Sequence, residues 1–108
     1  MGSATDPSHV SLQTLLQADT DTSESLQEQL DGFQNTSAFN RPHILQTIQF
    51  LASEHKAIGR ELVRRSEVLR WDVANPMWEQ VHAIDAQIEK HDIQSTRLAE
   101  FRDFNNLD

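Results

Sequence analysis

The chain contains no cysteine in its 108 residues. Disulfides, thiolate metal sites and cysteine nucleophile chemistry are thereby excluded. The three glycines, Gly2, Gly32 and Gly59, are too scattered to form a phosphate-cradling loop, and no Gly-x-Ser-x-Gly element occurs. Aromatic residues make up only 6% of the chain. With so few glycines, and with Leu, Gln, Glu and Ala abundant, that composition favours helix over sheet. No apolar run approaches the roughly 20 residues needed to cross a bilayer, so no membrane association is expected. The N-terminus shows no basic region leading into a hydrophobic core, so no secretory signal is expected. A small chain without covalent staples suits the cytoplasm, which is the expected location.

Positive charge is absent from the first forty residues, which carry six acids and no Lys or Arg. Residues 41–74 carry six bases against four acids, and residues 75–108 three against seven. The segments therefore stand at −6, +2 and −4 within a total of −8. An acidic chain repels phosphate backbones, so nucleic-acid binding is disfavoured.

The strongest pattern runs from Pro42 to Val73. Ile44, Ile48, Leu51, His55, Ile58, Leu62, Leu69 and Val73 recur at three- and four-residue steps, which places them on one side of a helix. Pro42 suits the first helical position, and Asn40 stands where a cap is needed. Asn75-Pro76 stops the pattern, since the residue before a proline avoids the α region. Gly59 lies mid-helix, at a cost of about 1 kcal/mol relative to Ala. It is read either as a tolerated blemish or as a close helix crossing. Phe50, Ala57, Val68 and Trp71 form a second apolar strip away from the seam. Two strips call for two neighbours, from within the chain or across an oligomer interface.

After Pro76, read as the first helical position, Met77, Val81, Ile84, Ile88, Ser95 and Leu98 share a face, with His91 close to it. The two rods match in length, so 42–73 pairs antiparallel with 76–104. Upstream, Val10, Leu12, Leu15 and Leu16 form one apolar cluster, and Leu26, Leu30 and Phe33 another. The polar stretch Ala18 to Ser25 between them is either a loop or the wet middle of one longer helix. Asp21 or Thr22 is expected to cap the second cluster's helix. The expected fold is all-α. A long antiparallel helical hairpin is completed by one or two N-terminal helices, giving a three- or four-helix bundle with coiled-coil character. Residues 1–8 are expected to form a flexible N-terminus, 9–104 the single domain and 105–108 a frayed tail.

No catalytic constellation emerges. No two of His9, His43, His55, His82 and His91 are one helical turn apart, and Glu79-x-x-His82 lacks the second copy a di-metal bundle requires. Neither metal nor cofactor is expected. His55 and His91 are placed to face each other across the paired rods. His55-Lys56-Ala57-Ile58-Gly59 resembles the phosphorylated histidine segment of histidine phosphotransfer domains, with lysine and glycine at a different spacing. That resemblance implies His55 as a phosphoryl carrier, whereas its position on the apolar seam implies a buried imidazole.

The most suggestive surface feature is basic. Lys56, Arg60 and Arg64 recur every fourth residue opposite the seam, with Arg65 and Arg70 nearby and Trp71 on a similar side. These six residues are the candidate partner-binding set, because Arg and Trp are favoured at interface hot spots. Against this stand local pairs, Glu61 with Arg65 and Glu67 with Arg64 or Arg70, worth a few tenths of a kcal/mol each. The acidic N-terminal segment folding over the bases is a further alternative. The expected function is a non-enzymatic protein–protein interaction module: a subunit, adaptor or chaperone-like partner binding another protein with an acidic segment. A homodimer is an open possibility. The alternatives are a histidine phosphotransfer bundle and, behind it, a nucleic-acid binder through the basic face.

Overall fold

In the computed structural model, which describes residues 7–71 and 77–107, a 3-10 turn at Pro7–His9 precedes three helices. Helix α1 spans Leu12–Phe33, α2 spans Arg41–Arg70 and α3 spans Trp78–Phe104. The all-helical bundle expected from apolar spacing is what forms.

Helix α1 is one continuous element of 22 residues. The polar stretch from Ala18 is therefore the middle of a helix. Its N-cap is Ser11, whose hydroxyl accepts from the Thr14 amide, so the expected cap at Asp21 or Thr22 is not used. Leu15, Leu26, Leu30 and Phe33 hold the helix to the bundle through one buried face. Gln34 to Asn40 turns the chain, with Thr36 Oγ1 donating to the Gly32 carbonyl at 2.8 Å.

Helix α2 begins with Pro42 in its first turn; Asn40 is the N-cap but its side chain makes no capping bond. The expected range of 42–73 shortens at its far end to Arg70, and Val73 and Asn75-Pro76 lie outside the described residues. Helix α3 begins at Trp78, after an N-cap at Met77. It ends in a Schellman closure. Asn106 takes a left-handed φ of 57°, Leu107 N–H donates to the Arg102 carbonyl at 2.8 Å, and Asn106 N–H donates to Asp103.

Cross-helix contacts fix the topology. Ser66 meets Asp85 and His55 meets His91, so α2 and α3 run antiparallel. Asp19 meets His91, Gln27 meets Gln94 and Phe33 meets Phe101, so α1 runs parallel to α3. The result is an up-down-up bundle measuring 57 × 30 × 20 Å.

Its core has two apolar clusters. One joins Leu26, Leu30, Phe33, Ile48, Ala52 and Leu98; the other joins Leu15, Ile58, Leu62 and Ile84. Each fully buried aliphatic side chain contributes about 1.5–3 kcal/mol. Between the clusters sits a polar layer of Asp19, His55, His91 and Gln94, all buried. The expected apolar face of α3 shifts accordingly: Gln94 is buried and Ser95 is exposed.

The second apolar strip of α2 finds no cover within the described chain. Phe50 is 62% exposed and Trp71 75% exposed, and Val68 is exposed beside them. Among the described residues, no helix is long and apolar enough to cross a membrane.

Candidate functional site

The polar layer draws on all three helices: Asp19 comes from α1, His55 from α2, and His91 and Gln94 from α3. Asp19 is completely buried, although it belongs to the most polar part of α1. Its two carboxylate oxygens are both occupied. Oδ1 accepts from His91 Nδ1 at 2.6 Å, and Oδ2 accepts from Gln87 Nε2 at 2.5 Å. A carboxylate oxygen can only accept, so the His91 Nδ1 carries the proton of this bond.

His91 in turn stacks on His55. The rings lie 3.6 Å apart between centroids and 3° from parallel. The juxtaposition expected from the two seams is thus realised. His55 is 2% exposed, and its Nε2 has no hydrogen-bond partner among the described residues. Burial first, and His91 next, push the His55 imidazole down to about 4, so it is neutral near pH 7. Asp19 and Asp92 oppose that shift and do not outweigh it.

Gly59 explains how two helices approach this closely. A Cβ built there would lie 2.8 Å from His91 Cε1 and nearer still to Nε2. The imidazole fills the space of the missing side chain, so the close-crossing reading of Gly59 is correct.

An open groove of about 850 Å³ runs along this crossing between α2 and α3. His55 and His91 form part of its floor, and no residue of α1 lines it. From Gln49 to Val63 it follows α2 for about 21 Å, given a rise of 1.5 Å per residue. Ala52, Ser53, Gly59, Ser95 and Ala99 keep it shallow-walled, and Val63 and Ile88 add apolar surface. Lys56, Arg60 and Arg102 line it too, alongside the single acid Asp92.

The structure divides the six basic-face residues. Lys56 and Arg60 lie in the groove and make no ion pair among the described residues. Arg64 is engaged instead with Glu61, through bonds of 2.9 and 2.6 Å. Arg65 also binds Glu61, at 2.7 Å, and donates to the carbonyls of Pro7 and Val10. These contacts, Arg64 foremost, hold the Glu61 carboxyl down at about 2. Arg70 pairs with Asp85 at 2.6 Å rather than with Glu67. Its contact helps, after the Ser66 hydrogen bond, to hold Asp85 below the ordinary carboxylate range. Trp71 is exposed at the end of α2, apart from the groove.

Arg102 was not legible as a member of this surface, because it reaches the groove from the far end of the opposing helix. Asp19 was equally hidden: an acid in the run Asp19-Thr20-Asp21-Thr22 has the pattern of a solvated face.

The chain matches no family model, no curated protein and no solved structure.

Proposed function

We propose that the protein is a non-enzymatic interaction module whose α2–α3 groove receives an acidic amphipathic helix from a partner protein. The observation that carries this reading is the groove itself: a helix-length trough with small side chains along it and three cations, Lys56, Arg60 and Arg102, that have no acidic partner among the described residues. Small residues let a second backbone approach closely, and an amphipathic helix laid in such a trough completes a four-helix cross-section. Unpaired cations favour an acidic partner and speed its encounter. The buried, stacked position of His55 weighs against the phosphoryl-carrier alternative, because a phosphoryl donor would have to reach a nitrogen that solvent does not.

The test is charge reversal. Lys56→Glu with Arg60→Glu should weaken capture of the natural partner at least tenfold, while Arg64→Glu, on the neighbouring strip, should weaken it less. Binding should also weaken as salt rises. A partner retained equally by all three proteins, or one whose bound segment is basic, overturns the reading. A second copy of this chain in the groove would appear as a doubled mass in light scattering and would also overturn it.

A further inference from the structure

Asp19, His55 and His91 come from three different helices, and each offers a ligand atom within 4.8 Å of the others. Two features set this cluster apart from an ordinary buried hydrogen-bond network. The first is the His55 Nε2, buried with no partner among the described residues. An unsatisfied buried group of this kind is destabilising, and a ligand to its lone pair would relieve that. The second is the Asp19–His91 couple, with Gln87 fixing the other carboxylate oxygen. That couple already sets two candidate ligand atoms, Asp19 Oδ1 and His91 Nδ1, 2.6 Å apart.

We propose that Asp19, His55 and His91 bind one zinc-class divalent ion through two imidazole nitrogens and a carboxylate oxygen, with a further coordination position open to the α2–α3 groove. Mixed nitrogen and oxygen donors suit zinc, cobalt, nickel or copper, whereas calcium and magnesium require shells of oxygen. Three protein ligands with one open position is the pattern of an accessible zinc site rather than a closed structural one. In-helix spacing gives no sign of it, because each helix supplies a single ligand.

The stacked rings are the ion-free arrangement. Each lone pair lies in the plane of its own ring, and the two planes are parallel, so one ring must turn for both to converge on an ion. His55 is that ring, since its Nε2 has no hydrogen bond to lose and the groove lies beside it. His91 keeps its place in the space that Gly59 leaves, and its Nδ1, 2.6 Å from Asp19 Oδ1, gives up that hydrogen bond to the ion as the ring proton moves to Nε2. A water, or a carboxylate from a molecule in the groove, takes the open position. The ion site does not depend on the partner reading, and it is tested on the protein alone.

The measurement is a cobalt(II) titration of the full chain carrying no histidine tag, followed by visible absorption. Saturation at one equivalent is expected, with the band removed by one equivalent of zinc and untouched by excess magnesium. His55→Ala should weaken binding by more than about tenfold, whereas His43→Ala and His82→Ala should leave it unchanged. A second readout uses the unaltered protein, so it stands even if His55→Ala fails to fold: zinc should move the imidazole NMR signals of His55 and His91. No saturable binding, or shifts confined to His9, His43 and His82, overturns the proposal.

Discussion

The imidazole of His91 occupies the place a methyl group on Gly59 would need. A residue that looks like a weak point in α2 is therefore the point at which α3 comes closest. In an exposed helix interior, Gly→Ala gains about 1 kcal/mol. Here the sign reverses.

Gly59→Ala should destabilise the fold by about 1–3 kcal/mol, the range for forcing extra volume into a packed site. Chemical denaturation checks it. Combining it with His91→Ala should recover part of the loss, giving a coupling of at least about 0.5 kcal/mol. Additive effects would place the strain elsewhere.

Asp19→Ala should cost about 3 kcal/mol, because it leaves the His91 N–H and the Gln87 amide without their buried acceptor. Asp19→Asn keeps one acceptor oxygen and should cost less. The order of the two unfolding midpoints in urea decides the point; equal losses would mean that only the volume of Asp19 matters.

Glu61 gives a pH dependence whose sign is fixed. Its carboxyl stands at about 2 when folded, against 4.5 for the free side chain, because Arg64 and Arg65 bind the charged form. The stability it contributes is complete above about 4.5 and disappears as pH falls through about 2. Melting temperatures of wild type and Glu61→Gln should therefore differ above pH 4.5 and converge toward pH 2. A gap that stays constant over that window would show that the charge of Glu61 is not what Arg64 and Arg65 recognise.

Arg65 reaches from α2 to the carbonyls of Pro7 and Val10, at 3.1 and 2.6 Å. Arg65→Ala should loosen the 3-10 turn and the start of α1 while leaving the far end of the bundle intact. Amide exchange should quicken near Leu12 and Leu15 and stay unchanged near Leu30 and Leu98. Uniform acceleration would point to global destabilisation instead.

The seams of α2 and α3 were legible because Ile48, Ile58, Leu62, Val81 and Ile84 follow the helical period and are buried accordingly. The facing of His55 and His91 followed from the same periods. Other features depend on contacts far apart in sequence. Asp19 is buried because residues 68 and 72 positions later supply its hydrogen bonds. Arg65 and Arg70 belong to the basic face by spacing, but the tertiary fold commits them to backbone carbonyls and to Asp85. The apolar strip containing Phe50 and Trp71 was read as a packing face, yet no described part of the chain covers it.

The proposed partner helix lies in the groove and not on that exposed strip. A photo-crosslinking amino acid placed at Val63, inside the groove, or at Phe50, on the strip, tests this directly in cells that express the protein. A specific adduct is expected from position 63, mapped to an acidic helical segment of the partner, and little from position 50. Adducts confined to position 50, or a groove adduct mapped to a basic segment, would contradict it.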